Sequence, residues 1–310
     1  MIGIPEAFVR GTVEREGAAG AAWAAELPTR VGALLERWEC VPAGEPDHGG
    51  VGIVLPVRRR GGGDAVLKVS FPHPGNVHEP DAFTVWDGRG AVRLYARADA
   101  DFAMLLERVE ATTLGEAEDG DAVARVAGAV CRRLAVPAPR GLPRLRDLAG
   151  GWEAGLRRDF EELGRPLPGR TVAAAVATVR ELTVDGPDLM IHGDLHGRNI
   201  LRARREPWLA VDPKGLAGDP AYDGGTFLKT RAPVLIAAGD VRAGLERALD
   251  VFTEASGLDR GRVRRWAQFQ AVQAAFWGRL HGFRRSRGGS ERDGLVAFAD
   301  GMAEHLADGV

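Results

Sequence analysis

Lysine is nearly missing from this chain of 310 residues. Only Lys68, Lys214 and Lys229 occur, and arginine supplies the other 38 of the 41 cations. A coding bias accounts for the scarcity but not for where the three survivors stand. Cysteine is almost as rare. Cys40 and Cys131 are separated by 90 residues, which excludes a disulfide framework and a cysteine-based metal spacing. No excess of one charge exists either. Lys+Arg 41 against Asp+Glu 43 gives a formal net charge of -2, so neither nucleic acid nor an anionic membrane is an expected partner. Long apolar runs are missing: Val172–Val179 and Val234–Ala238 are too short to cross a bilayer. Residues 1–10 lack a charged segment followed by an apolar run, so no signal peptide is expected. These absences predict a cytoplasmic protein, a monomer or weak dimer. The 45% hydrophobic content suffices for a full core.

What is present falls into two parts. Val51–Val57 and Ala65–Ser70 are strand-like, and the Gly61-Gly62-Gly63 stretch between them predicts a hairpin. A short helix is expected over Asp81–Trp86, with further strands over Ala91–Ala96 and Phe102–Leu106. No element is assigned to residues 11–44. Beyond Thr113 the spacing predicts helices over Asp121–Ala135, Trp152–Leu163, Arg170–Thr183, Asp240–Ala255, Asp259–Gly282 and Ser290–Ala307. Two short strands, Leu189–Ile191 and Trp208–Val211, interrupt them. The expected class is α+β, with a small β-rich N-terminal lobe and a larger, mainly helical C-terminal lobe.

The chemistry concentrates in LMIHGDLHGRNIL at 189–201 and in Asp212-Pro213-Lys214. Asp194, an Asn five residues on (Asn199) and a second Asp 18 residues on (Asp212) all fall at strand ends. Phosphoryl transfer uses such a set: one carboxylate positions a hydroxyl and takes its proton, while an Asn and a second carboxylate hold Mg²⁺ on nucleotide phosphates. His192, Asp194 and His196 also contain zinc-type ligands, but a fourth ligand is not evident, and a structural role for both histidines is the simpler reading. Asp219 reads as a cap or loop brace. Asp223 stands between a brace and a substrate contact.

These blocks resemble the aminoglycoside phosphotransferase superfamily, whose fold is protein-kinase-like and whose catalytic loop carries His-Gly-Asp. EPWLAVDPKGLAGDPAYD at 206–223, VLKVSFPHPGNVHE at 66–79, WDGRGAVRLY at 86–95 and MLLERVE at 104–110 are similar to the streptomycin 6-kinase and hydroxyurea phosphotransferase family. The resemblance implies two lobes. Residues 1–108 would bind ATP, and 109–310 would carry the catalytic loop and the substrate pocket. It implies Asp194 as catalytic base, Asn199 and Asp212 as Mg²⁺ ligands, and Lys68, paired with Glu79, on the α- and β-phosphates. Gly49 and Gly50 would lie in the turn covering the phosphates, Glu107 to Val109 would offer backbone to adenine, and Lys214 would stand near phosphate. His192, His196 and Asp219 would support the loop. Arg198 stands where the family usually has Gly; if that position requires left-handed backbone, Arg costs about 1 kcal/mol or more.

The resemblance implies an ATP-dependent kinase for a hydroxyl group on a small molecule, with an aminoglycoside or aminocyclitol of the streptomycin kind first, and leaves its role open between antibiotic resistance, self-protection and biosynthesis. Hydroxyurea, a sugar or a biosynthetic intermediate are alternatives, and a nucleotide-binding protein without catalysis is a third. Only six residues separate Asp212 from Asp219, too few for a protein kinase's activation segment. The acceptor's charge is open. Glu153, Asp159, Glu161 and Asp223 could face a cationic acceptor. Yet Asp259–Asp293 holds nine arginines (260, 262, 264, 265, 279, 284, 285, 287, 292) against Asp259, Glu291 and Asp293. The stripe Trp266, Phe269, Phe276, Trp277 reads as core.

Overall fold

The computed structural model describes residues 2–283 and 290–307. The chain separates into two units, Met1–Glu110 and Ala111–Val310.

The first unit opens with the long helix α1 (Glu6–Arg37), the element the sequence pattern leaves unassigned. Its signal is broken twice. Gly17 takes φ 62°, ψ −136°, outside the helical region, and Pro28 lies inside the helix. The Gly/Ala-rich stretch around the kink also offers few large side chains for a periodic pattern. Beyond the kink, Trp23, Leu27, Val31, Leu34 and Leu35 form a buried stripe. Each such side chain is worth about 1.5–3 kcal/mol in burial, so packing rather than propensity holds this helix.

The strands β1 (Cys40–Pro42), β2 (Asp47–His48), β3 (Gly52–Arg59) and β4 (Asp64–Ser70) are followed by helix α2 (Glu79–Trp86) and strands β5 (Leu94–Ala98) and β6 (Ala103–Glu107). They form one antiparallel sheet in the order β1-β3-β4-β6-β5, with β2 on β3. The expected hairpin is β3–β4, closed from Arg58↔Asp64 through Gly62 and Gly63, whose φ values are +90° and +95°. The predicted strand at Ala91–Ala96 lies three residues later. Ala91 and Val92 are buried but precede the sheet, and the pairing with β6 shifts register between Leu94 and Ala96.

The second unit is mainly helical: α3 (Gly120–Leu134), α4 (Leu145–Glu162) and α5 (Gly169–Leu182) precede four short strands, β7 (Leu189–Ile191), β8 (Ile200–Arg202), β9 (Trp208–Ala210) and β10 (Leu216–Gly218). Helices α6 (Ala221–Thr230), α7 (Ala232–Ala238), α8 (Val241–Ser256), α9 (Arg260–His281) and α10 (Ser290–Ala307) follow. Helix α4 starts seven residues earlier than its spacing predicts. The Asp147 carboxylate accepts the Arg144 N–H at 2.9 Å, and this cap carries the helix through Gly150-Gly151. Helices α6 and α7 have no sequence-level prediction. Gly224-Gly225 in α6 looks like a breaker, yet a Cβ on Gly225 would stand 2.9 Å from the α9 backbone at Trp266 and Ala267. The glycines let two helices approach closely.

Among the described residues no helix is long and apolar enough to cross a membrane. The small antiparallel sheet and the mainly helical second unit agree with the α+β expectation.

Candidate active site

The loop after β7 is fixed from three directions. β7 pairs with β10, Ile191↔Leu216, which sets its take-off. Gly193 then turns with φ +80°, and a Cβ there would be 3.0 Å from both Lys214 Cβ and Leu216 Cδ1. From α6, the Asp223 carboxylate accepts the N–H of His192 at 2.7 Å and of Gly193 at 2.8 Å. From the end of β9, the Val211 carbonyl meets His192 Nε2 at 2.9 Å. His192 Nδ1 accepts the Asp194 N–H at 3.3 Å, so the proton belongs on Nε2, which donates to Val211. Burial lowers the His192 imidazole to about 4, which keeps it neutral near pH 7. Both ring nitrogens are engaged, which leaves no lone pair for a metal.

Of the two readings open for Asp223, brace and substrate contact, its hydrogen bonds support the brace. It is 1% exposed, does not line the cavity described below, and has both oxygens on loop amides. Burial pushes its carboxyl up to about 7 although the two amides pull the other way. Asp219 is likewise a brace. It accepts the Ala221 N–H at 3.0 Å, Trp266 Nε1–H at 2.9 Å and an Arg262 N–H at 3.0 Å.

Asn199 closes a 3₁₀ turn, Gly197–Asn199. Its Nδ2 donates to the Asp194 carbonyl at 3.0 Å. The β8–β9 ladder continues one step through Val211 N–H to Asn199 O at 2.9 Å. Asn199 and Asp212 therefore flank one end of that hairpin, with Asp212 one residue past this last bond. Asp212 itself takes φ +60°, a left-handed conformation that costs a non-glycine residue about 1 kcal/mol. Arg198 carries no such strain: it lies in the 3₁₀ turn, outside the left-handed region, so the cost conditionally expected there does not arise. Gly197 is needed for a different reason, because a Cβ there would stand 2.8 Å from Gly115 Cα.

Lys214 joins the carboxylates. Its N–H donates to the His192 carbonyl at 2.7 Å, and its Nζ stands 3.5 Å from Asp212 Oδ2 and 3.9 Å from Asp194 Oδ2. His196 Nε2 is 3.8 Å from Asp194 Oδ2, beyond hydrogen-bond range. Its Nδ1 is buried without a partner among the described residues, and burial lowers its pKa.

In the first unit, Lys68 sits mid-strand in β4, opposite Val54 and Met104. Its Nζ meets Glu79 Oε1 at 2.5 Å, with Lys68 9% and Glu79 1% exposed. Glu79 is the first residue of α2 and Pro80 the second, so the pair is made from the start of the helix. Gly49 and Gly50 lie between β2 and β3, where an added Cβ would meet nothing within 4 Å. Glu107 ends β6, and its N–H is already given to the Arg93 carbonyl at 2.8 Å. That donor is therefore committed within the sheet. Val109 follows, half-buried.

The second unit contains a cavity of about 960 Å³. Asp194, His196 and Arg198 contribute one part of its lining, and Trp152, Trp277 and Phe298 supply aromatic surface. Of the four carboxylates proposed for a cationic acceptor, only Asp159 lines it, and Arg158 pairs with it at 2.7 Å. Glu153 is held at about 2 by hydrogen bonds from Arg180 and Arg157, and Glu161 pairs with Arg165. Arg260, Arg262, Arg264, Arg265, Arg279 and Arg292 do not line the cavity. The first five pair with carboxylates: Arg260 and Arg264 with Glu246, Arg262 with Asp219, Arg265 with Glu181, Arg279 with Asp300. Arg284, Arg285 and Arg287 lie outside the described residues. Trp266, Phe269 and Phe276 are core, whereas Trp277 is 45% exposed and lines the cavity.

Two cations that no motif marks also line it, Lys229 at the end of α6 and Arg231 just beyond. The one sequence signal for Lys229 is its rarity as the third lysine of the chain.

Residues 37–282 match the family model described as aminoglycoside/hydroxyurea antibiotic resistance kinase. The chain is 39% identical over 279 residues to a streptomycin 6-kinase of Streptomyces glaucescens, covering 89% of this chain and 91% of that protein. It is 37% identical over 282 residues to a hydroxyurea phosphotransferase of Kitasatospora aureofaciens, covering 89% and 80%. Among solved structures, a choline/ethanolamine kinase family protein of Mesorhizobium loti aligns with a TM-score of 0.58 at 16% identity, over 90% of this chain and 98% of that one. At that identity the likeness shows the fold alone, which is protein-kinase-like. With most of its length matched, this chain belongs to the aminoglycoside/hydroxyurea antibiotic resistance kinase family of small-molecule phosphotransferases.

Proposed function

We propose that this protein transfers the γ-phosphoryl group of ATP to a hydroxyl of a small molecule, with an aminocyclitol antibiotic of the streptomycin kind as acceptor. The observation that carries the proposal is Asp194. It stands on the wall of the 960 Å³ cavity, at the end of a loop braced by Asp223, His192 and Asn199. Asp194 takes the proton of the acceptor hydroxyl as that oxygen attacks phosphorus. Lys214, near both Asp194 and Asp212, offsets their mutual repulsion.

Asn199 and Asp212 suit Mg²⁺. Asn199 has given Nδ2 to Asp194, which turns its amide oxygen to ligand duty, and both donors are the hard oxygens this ion prefers. When bound, Mg²⁺ would neutralise charge on the nucleotide phosphates. In the first unit, Lys68 serves the α- and β-phosphates as a point charge aimed by Glu79, and the Gly49-Gly50 turn covers the phosphates. The segment Glu107 to Val109 serves adenine through main chain other than the Glu107 N–H. The variant Asp194→Asn tests the assignment: turnover disappears while MgATP still binds. A wild-type rate in that variant overturns it.

A second acceptor class has one observation in its favour. Arg198, Lys229 and Arg231 line the cavity without a carboxylate within 4 Å among the described residues, although Asp194 attracts Lys229 from farther off. Such a lining suits hydroxyurea or an uncharged or acidic hydroxylated metabolite better than a polycation. Acceptor-dependent ADP release, measured with streptomycin, hydroxyurea, neutral cyclitols and phosphorylated sugars, ranks the two classes.

A further inference from the structure

The kinked helix α1 precedes most of the family match, which begins at residue 37, and nothing so far gives it a role beyond packing. Its two halves do different things. Past the kink at Gly17, Trp23 packs on Phe71 with ring centroids 5.5 Å apart, and the buried stripe continues along the sheet. Before the kink, the helix reaches the turn between β2 and β3. Phe8 lies 5.6 Å from the His48 ring, and Arg15 Nη1 donates to the Gly50 carbonyl at 2.8 Å. The kink is built for this. Gly17 has a backbone conformation that other residues rarely adopt, and a Cβ on Gly20 would stand 2.6 Å from the Thr12 carbonyl.

The turn needs such an anchor. Gly49 and Gly50 have nothing within 4 Å of an added Cβ, and the one side-chain contact on their peptides besides Arg15 is the His48 ring, whose Nδ1 is 3.1 Å from the Gly49 carbonyl. Within the turn, Gly49 N–H bonds the Gly52 carbonyl at 2.9 Å, but among the described residues the N–H groups of Gly50 and Val51 have no partner. In a trans peptide the carbonyl and the next N–H point in opposite directions. Holding the Gly50 carbonyl toward α1 therefore holds the Val51 N–H toward the other side.

We propose that the first half of α1 is a strap on this turn, and that Arg15 is a positioning residue that orients the Gly50–Val51 peptide for the nucleotide's phosphates. The proposal rests on the reading that the Gly49-Gly50 turn covers the phosphates. Without Arg15 the glycine peptides sample more orientations, and ordering them is charged against nucleotide binding. The loss falls on ligands that carry phosphates and spares adenosine.

The test is calorimetric titration of the full chain and of Arg15→Leu with ATP and with adenosine. The variant keeps the apolar stem of a partly exposed side chain, and unfolding temperature monitors its fold. The expected result is ATP bound about 3- to 10-fold more weakly, the range of one hydrogen bond, with adenosine unchanged. Arg15→Lys, which keeps a donor, recovers part of the loss. Equal ATP affinity in wild type and Arg15→Leu overturns the strap. So does an equal loss for ATP and adenosine, which marks a purely structural role. Hydrogen exchange of residues 48–52 in the wild type separates the underlying reading: ATP that leaves these amides unprotected removes the turn from the phosphate site, and the strap with it.

Discussion

Replacing Asp223 with Asn isolates what its charge does for the catalytic loop, because the two side chains have nearly the same shape. The carboxylate accepts the His192 and Gly193 N–H groups at 2.7 and 2.8 Å in a buried setting. Asn accepts one of them and must turn its amide donor toward the other. One buried N–H then lacks a partner, at about 1–3 kcal/mol. The buried charge works in the opposite direction. Burial raises the carboxyl from 3.8 to about 7, so ionising it in the folded protein costs roughly 4 kcal/mol more than in water. Asn carries no such penalty. The two effects oppose, the charge effect is the larger, and Asp223→Asn near pH 8 should be about 1–3 kcal/mol more stable than wild type. Activity has no such compensation. Asp194 follows Gly193 directly, and a displacement of about 1 Å costs on the order of 100-fold in kcat.

The pH dependence gives a second signature. The folded-state pKa of Asp223 lies above its unfolded value, so the folded protein binds the extra proton between about pH 4 and 7. Its contribution to stability is full below that window and is lost as pH rises through it. Activity runs the other way, since the ionised carboxylate is what holds both amides. Asp223→Asn should flatten both slopes. Urea unfolding and kcat, measured for both proteins across the window and above it, check this. A variant that keeps most of the wild-type kcat above pH 8 refutes the role of the charge.

Two further substitutions probe the cavity and the loop. Lys229→Glu places a carboxylate in the cavity lining, and kcat/KM for streptomycin relative to an uncharged cyclitol should rise about tenfold; an unchanged ratio removes Lys229 from acceptor selection. Gly197→Ala sets a Cβ 2.8 Å from Gly115 Cα, a backbone atom that cannot swing aside, and should cost about 1–3 kcal/mol in denaturant unfolding. A loss no larger than that of Arg198→Ala would mean that the Gly197–Asn199 turn and the Leu114–Glu116 turn beside it are free to separate.

The sequence shows which loop residues come together more plainly than it shows the helices around them. His192, Asp194, Asn199 and Asp212 are legible because spacing along a strand–loop–strand segment maps directly onto neighbouring backbone bonds, as the Val211–Asn199 and Lys214–His192 contacts show. Lys68 and Glu79 are only 11 residues apart and meet across a single connection. Long-range partners leave weaker traces. Asp223 becomes a brace only because α6 delivers it beneath the His192 and Gly193 amides, 30 residues away in sequence. Lys229 and Trp152 join one cavity through tertiary packing, which no local period encodes. Helices α1 and α6 escape pattern reading through apparent breakers: Gly17 and Pro28 interrupt the one, and glycines that serve close helix contact interrupt the other.

The close seat of α6 against α9 has a consequence for how acceptor choice can change. Asp223 and Lys229 stand on the same helix, six residues and about 9 Å apart along its axis. One holds the loop that presents Asp194, and the other belongs to the cavity wall. The helix thus works as a gauge block between the Asp194 loop and one side of the cavity. Its depth is fixed by Gly224 and Gly225 against Val263, Trp266 and Ala267. A repacking of the α9 face at Val263, Trp266 and Ala267, away from its cavity-lining residues such as Trp277, would shift both ends of the gauge together. The spacing between the Asp194 loop and the cavity wall can therefore drift through the core while the residues that line the cavity stay the same.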